Sequence, residues 1–347
     1  MRAKMKRLIW VSLLLVFAAV LMPVLFIQGE LGGKNSGAVP TPSKGQAVEL
    51  PRQTAPQASP TAGQALGGLS DAETWFTVLD GGEIRRVSMA EHLPGVLGAE
   101  MPASFAPDAL KAQAVAARTY ILYCTKHENP KHPDGDVCSD GGCCLAFLDE
   151  GKLRAAWGES FEANLKIINA AVSETDGQVL TFEEEPILAS FHSSSAGKTE
   201  SGSELWGEVP YLVSVPSPET AVDVPGFVST VEVSQEEFRK TVQLLRPEAQ
   251  LSGGAADWLG KADRDDSGRV RSVKIGGSQL TGSEVRKLFS LRSTAFRIEF
   301  KNDIFVFTVS GYGHGLGLSQ YGANVMAKGG FNYREILAHY YPHTKLS

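Results

Sequence analysis

Residues 88–123 read SMAEHLPGVLGAEMPASFAPDALKAQAVAARTYILY, and their patterning sets the fold class. Ser88 to Gly98 predicts a short helix interrupted by Pro94, and Pro107 to Tyr123 predicts a better one. Pro107 suits the first helical position, where its missing N–H is no loss, and Asp108 complements the helix dipole there. Ala109, Ala112, Ala116 and Ala117 give the second helix small faces that a neighbour can approach closely. From Trp75 onward, short β-branched or aromatic runs surround this pair without the regular strand–helix–strand spacing of a parallel sheet. The expectation is an α+β protein of mixed, mainly antiparallel sheets with a few helices, in two lobes around a cleft. Ala221 to Thr308 reads as strand, helix, Gly-rich loop, strand, helix and two strands, a smaller lobe inserted at about 221–308.

The chain has 347 residues, 43% hydrophobic and 21% charged, a globular composition. With 33 basic against 39 acidic side chains, the net charge of −6 leaves no basic surplus for phosphates, which argues against nucleic acid as a partner. Arg2, Lys4, Lys6 and Arg7 precede an uncharged run from Leu8 to Ile27, long enough as a helix, about 30 Å, to span a bilayer. A cleaved signal would have a shorter apolar region followed by a small-x-small site, whereas Met22-Pro23-Val24-Leu25-Phe26 stands here. Residues 1–27 therefore predict a cytoplasmic basic flank and a transmembrane anchor, with the remainder outside by the positive-inside rule. Residues 28–70, rich in Gly, Pro, Ser, Thr, Ala and Gln, predict a disordered tether. Residues 71–347 form the folded part. Removing the 7 basic and 2 acidic side chains of residues 1–70 leaves 26 and 37, so the outer part carries −11. The expected localisation is the cell membrane, single-pass, with an extracytoplasmic C-terminal domain.

Three segments carry candidate chemistry. In Ala99-Glu100-Met101-Pro102 a lone carboxylate sits between apolar neighbours where the two helices meet. Desolvation there would raise its pKa and suit it to general acid work. The plainer alternative is a helix-end Glu in an ion pair, with Arg118 as the partner at hand. Phe191-His192-Ser193-Ser194-Ser195-Ala196-Gly197-Lys198-Thr199-Glu200 offers hydroxyls and free amides that could bind sugar hydroxyls, with Trp206 and Tyr211 downstream to stack on a pyranose, or it is simply a polar turn. It has no G-x-S-x-G elbow. Gly311-Tyr312-Gly313-His314-Gly315-Leu316-Gly317-Leu318-Ser319-Gln320-Tyr321-Gly322-Ala323 alternates glycines that permit close backbone approach. Leu316 or Leu318 stands where a dinucleotide fingerprint needs Gly, so that motif is absent.

His132, Cys138, Cys143 and Cys144 form a complete donor set for tetrahedral zinc, with no open position for catalytic water. An oxidising compartment would instead favour disulfides, Cys124 included. Asp263-Arg264-Asp265-Asp266-Ser267-Gly268 begins like a calcium loop, but Lys274 occupies the twelfth position, so a solvated hairpin turn is expected. His339 and His343 have metal-helix spacing, yet Tyr340 replaces the needed Glu and Pro342 breaks the helix.

The order AEMP at Glu100, KAQAVAARTY at Lys111 to Tyr120, HSSSAGKTES, GYGHGLGLSQYGA and a final HYYP resembles the stage II sporulation protein D family over roughly residues 75 to 345. The resemblance implies a peptidoglycan lytic transglycosylase acting during forespore engulfment, between mother cell and forespore, on glycan strands denuded of stem peptides. It implies a glycan-binding cleft, and as partners a cell-wall amidase and a polytopic membrane protein. By position Glu100 matches the family's catalytic acid. His132, Cys138, Cys143 and Cys144 match a zinc site of some members, with Cys143 standing where a His is expected. Arg118, His192, Ser193, Ser194, Tyr312, His314, Ser319, Gln320 and Tyr321 are the residues expected to bind glycan. A single carboxylate suffices if Glu100 protonates the leaving oxygen and then deprotonates the muramic C6 hydroxyl, giving a 1,6-anhydro ring without water. The rival expectation is a noncatalytic peptidoglycan-binding scaffold that activates an amidase.

Overall fold

The computed structural model describes residues 69–204 and 209–347. It begins with a hairpin of β1 (Trp75–Asp80) and β2 (Glu83–Ser88), turned at Gly81-Gly82, where both residues adopt positive φ. Alternation along β1 points Phe76 and Val78 into the core. Ser88 ends β2 and caps α1 (Met89–Glu100) in a reciprocal capping box with Glu91. The helix runs unbroken through Pro94, which sequence alone predicted to interrupt it. Burial of Met89, Leu93, Val96 and Leu97 and the tight cap offset the one backbone hydrogen bond that proline removes.

α2 (Pro107–Lys126) opens with proline in its first turn and is buried along most of its length. Ala109, Ala112, Ala114, Ala116 and Ala117 are fully buried, so neighbouring backbones close in from several sides. α1, α4 (Phe161–Ser173), α7 (Gln320–Lys328) and α8 (Tyr333–Tyr340) all pack on it, with α3 (Glu150–Trp157) against α1 and α4. This cluster forms the first hydrophobic core, joined by small sheets. One pairs β3 (Val137–Cys138) in parallel with β1; another orders β14 (Lys345–Leu346), β4 (Leu180–Phe182) and β5 (Glu185–Pro186) antiparallel. β6 (Phe191–His192) and β13 (Leu318–Ser319) pair in parallel and bring the serine-rich and glycine-rich motifs side by side.

A second core lies between Val233 and Val309. Its two antiparallel sheets are β11 (Phe296–Lys301), β12 (Ile304–Ser310) and β7 (Val228–Ser234), and β10 (Ser278–Thr281), β9 (Val270–Ile275) and β8 (Leu259–Arg264). α5 (Gln235–Leu245) and α6 (Gly282–Leu288) cover them. Phe238 stacks on Phe305 at 3.8 Å and on Phe289 at 5.1 Å, and Trp258 joins the same stack. The architecture is thus mixed α+β with small, mostly antiparallel sheets.

Two expectations need correction. The single-pass membrane localisation is overturned to this extent: no helix among the described residues is long and apolar enough to cross a membrane. α2 has the length, but it carries Asp108, Lys111, Arg118 and Lys126 and is buried by protein. The Leu8–Ile27 run, the tether up to residue 68 and Trp206 lie outside the described residues. Second, Arg118 does not pair with Glu100. Its guanidinium, 2% exposed, holds Asp71 in a bidentate pair at 2.6 and 2.7 Å and donates to the carbonyls of Val172 and Gln178. It thereby ties the start of the fold to the end of α4. Asp71→Ala should leave this cation buried without its counter-charge and cost about 3–5 kcal/mol in urea unfolding; a loss under about 1 kcal/mol would contradict the structural role.

Candidate functional site

Glu100 is the last residue of α1, facing both the loop after β3 and the first turn of α7. The Ala146 amide donates to its Oε1 at 2.9 Å and the Gln320 side-chain amide to its Oε2 at 3.3 Å. Burial pushes the carboxyl above the ordinary range, and these two hydrogen bonds pull it the other way without cancelling the effect. Its hydrogen-bond partners are neutral amides.

The parallel pair β6–β13 carries the two motifs toward this point. Ser194 and Tyr312 exchange backbone hydrogen bonds at 3.0 and 2.9 Å, and the Tyr321 amide donates to the Ser193 carbonyl at 3.0 Å. Glycine is required twice for specific reasons. Gly317, at φ +65°, lies so close to β6 that a Cβ would stand 1.9 Å from the Ser190 carbonyl oxygen. At Gly315 a Cβ would meet the Arg269 guanidinium carbon at 2.5 Å. Of the expected glycan ligands, Tyr312 is exposed and stacks beneath Arg292 at 5.5 Å, while Tyr321 sits edge-on to Phe105. Ser319 is fully buried and caps α7 through the Gly322 amide. Ser194 is also fully buried, its hydroxyl without a hydrogen-bond partner among the described residues.

His192 and His314 lie 5.8 Å apart, centroid to centroid. The Leu316 carbonyl fixes the His192 proton on Nδ1, so Nε2 accepts from the Ser195 hydroxyl at 2.6 Å. This has the form of a nucleophile–base pair, but Ser195 is fully buried. Burial holds His192 well below its ordinary pKa, and burial together with Arg286 and Arg269 takes His314 down to about 4. Both imidazoles are neutral at neutral pH and serve as hydrogen-bonding groups.

Three participants carried no recognisable signal in the sequence. Arg269, 1% exposed, comes from the turn between β8 and β9, where Asp265 accepts from Ser267 and from the Arg269 amide. Its guanidinium nitrogens have no hydrogen-bond partner among the described residues, and Nε stands 4.0 Å from Glu200 Oε2. Burial and Asp265 raise Glu200 to about 7 against the opposing pull of Arg269. Glu219 lies in a Ser-Pro-Glu loop with no hydrophobic pattern to mark it as buried. The Ala146 contribution is a backbone amide, invisible in residue types.

The cysteine-rich loop gathers His132, Cys138, Cys143 and Cys144, with ligand atoms all within 4.8 Å of one another. Four ligands around tetrahedral zinc stand about 3.8 Å apart at Zn–S bond lengths, so modest contraction would close the set. His132 Nδ1 is engaged by the Gly135 carbonyl at 2.8 Å, leaving Nε2 aimed at Cys144 Sγ, 3.0 Å away. All four cysteines are free thiols, and burial pushes Cys138 up to about 12. Cys124, on α2, stands outside the donor set. The donors, their spacing and the orienting carbonyl fit a metal.

The glycine requirement is directly testable. Gly317→Ala, strained by its positive φ and by the Ser190 carbonyl, should lose about 2 kcal/mol or more of stability in denaturant unfolding, whereas a neutral result would deny the close approach of β6 and β13.

Comparison with known proteins places these motifs. Residues 80–182 match the family model described as stage II sporulation protein. The chain is 36% identical over 267 residues to stage II sporulation protein D of Bacillus subtilis (strain 168), covering 76% of each chain. It is equally identical to stage II sporulation protein D of Bacillus amyloliquefaciens, over 76% of this chain and 75% of that one. It is 30% identical over 308 residues to an amidase enhancer of Bacillus subtilis (strain 168), covering 74% of this chain and 40% of the other. With 36% identity extending across three quarters of both chains, this protein belongs to the stage II sporulation protein D family.

Proposed function

We propose that the protein is a peptidoglycan lytic transglycosylase that uses Glu100 as its single general acid/base. The observation that carries this reading is a carboxyl whose pKa is raised by burial and whose hydrogen-bond partners are the amides of Ala146 and Gln320. A hydrolase of the ordinary kind needs a second carboxylate, as nucleophile or to activate water. Here the substrate's own C6 hydroxyl replaces it. Protonated Glu100 donates its proton to the glycosidic oxygen leaving C1 of N-acetylmuramic acid. The resulting carboxylate then takes the C6 hydroxyl proton as that oxygen bonds to C1. The proton count closes, Glu100 ends protonated, and the product is a 1,6-anhydro end. Intramolecular attack supplies the effective molarity that a bound water would otherwise need.

His192, Ser193, Ser194, Tyr312, His314, Ser319, Gln320 and Tyr321 belong to the surroundings of the reacting sugar in this reading. Exposed Tyr312 is best suited to meet glycan directly, whereas buried Ser194 and Ser319 shape the loops. The substrate class is glycan strand freed of stem peptides, in keeping with the net charge of −11 beyond residue 70. Membership of a sporulation family supports engulfment as the setting.

We assign His132, Cys138, Cys143 and Cys144 to structural zinc. Four protein donors leave no position for catalytic water, so the metal would supply rigidity rather than Lewis-acid chemistry. That rigidity bears on the acid, because the loop runs from Cys144 straight to Ala146, whose amide donates to Glu100.

A second reading, a noncatalytic wall-binding scaffold that activates a cell-wall amidase, is favoured by the similarity to an amidase enhancer. Glu100→Gln separates the two. It keeps the shape and both hydrogen-bond neighbours but has no proton to give, and should abolish release of anhydro-ended fragments from denuded glycan while leaving the melting temperature unchanged. Undiminished release by the variant would overturn the assignment. Activity in the wild-type protein should fall as pH rises through the elevated Glu100 pKa, since the acid form is the one required. Metal analysis of the purified protein should give about one zinc per chain. Cys138→Ser should lose it and melt at lower temperature; full metal content in that variant would remove Cys138 from the site.

A further inference from the structure

Glu219 is a buried carboxylate that the proposed chemistry does not use. It is 2% exposed and accepts from three donors supplied by three parts of the chain. The Ser195 amide reaches Oε1 at 2.6 Å, the Ser319 hydroxyl reaches the same oxygen, and the Ser217 hydroxyl reaches Oε2 at 2.6 Å. Ser217 is bonded in turn to the Tyr340 hydroxyl of α8 at 2.8 Å. A carboxylate buried on neutral hydroxyls and an amide is costly to desolvate, and apolar packing would hold these segments more cheaply. What the carboxylate provides is direction, because each of its donors has a fixed geometry.

That direction leads to Glu100. Ser319 caps α7 by accepting from the Gly322 amide at 3.3 Å, and the next residue is Gln320, whose side chain donates to Glu100 Oε2. The packing around this turn leaves no freedom. A Cβ at Gly322 would stand 2.1 Å from the Tyr340 hydroxyl, 2.5 Å from Ser217 Oγ and 2.7 Å from Glu219 Oε2. We propose that Glu219 is a positioning residue for the Glu100 site: by clamping Ser319 to the serine loop it sets the register of the first turn of α7 and holds the Gln320 amide on Glu100. The inference rests on the reading of Glu100 as the acid and adds the group that keeps its hydrogen-bond partner in place. The donors facing Glu100 are the neutral amides of Ala146 and Gln320, and the ionisable groups whose charges couple to Glu219 are Tyr340 and Arg269. Because the Gln320 hydrogen bond lowers the Glu100 pKa, losing it raises that pKa.

The test follows the Glu100 titration by carbon-13 NMR of the full chain labelled at glutamate carboxyls, the resonance being identified by its loss in Glu100→Gln. Glu219→Ala, which removes both acceptor oxygens, should move the Glu100 midpoint upward, in the same direction as Gln320→Leu. The double variant should move it no further than Gln320→Leu alone, since both act through one amide. An unmoved midpoint in folded Glu219→Ala, or shifts that add in the double variant, would overturn the proposal. If Glu219→Ala does not fold, Glu219→Asp withdraws the carboxyl by one methylene and is decided by the same midpoint. The titration needs no substrate, so absence of anhydro products from the wild-type protein would defeat the transglycosylase reading while leaving this measurement decisive for Glu219.

Discussion

The close packing around α2 is the constraint on which the rest of the structure depends. Its alanines let α1, α4, α7 and α8 approach on several faces, and each of these helices carries something the site needs. α1 ends in Glu100, α7 begins with Gln320, α8 supplies Tyr340, and the end of α4 is pinned through Arg118 and Asp71. A larger side chain on a fully buried alanine would overpack this cluster and press on the helices that carry Glu100 and Gln320. Stability and function therefore share one element, and substitutions in α2 should read out in both.

Much of this was legible in the sequence because it was local. The helix pair, the first-turn proline at Pro107, the glycine motif and the His132–Cys144 donor cluster follow from spacing and residue chemistry alone. The uninterrupted α1 was not legible, since Pro94 breaks helices by rule and only burial of Leu93 and Leu97 outweighs it. Arg118 enters the expected site only through the family resemblance and as a possible partner of Glu100. Its partner, Asp71, lies 47 positions away, at a distance no pattern reports. Glu219 gives the opposite case. A Glu between Pro218 and Thr220 reads as exposed loop, and the groups that enclose it come in part from segments distant in sequence, near residues 195, 319 and 340.

The two motif loops show how residue types can suggest one chemistry and geometry another. His192 with Ser195 has the hydrogen bonding of a nucleophile pair, yet both are sealed in the interior and brace the parallel β6–β13 contact. Arg269 reaches from the second core to lie against Gly315, and burial, with the fields of Arg286 and Arg269, keeps His314 neutral. In the proposed reading the chemistry falls to Glu100, the carboxyl at the junction of helix, cysteine-rich loop and glycine motif. The cysteine-rich loop supports it through Ala146 and the glycine motif through Gln320.

A mechanism with one carboxylate makes a claim about water: none enters the product. The most direct measurement is mass spectrometry of fragments released by the purified protein from peptide-free glycan in heavy-oxygen water. The single-acid account predicts 1,6-anhydro-muramic ends that carry no label from solvent. Reducing ends that carry the heavy oxygen would contradict it, because they would require a second group to activate water beside Glu100.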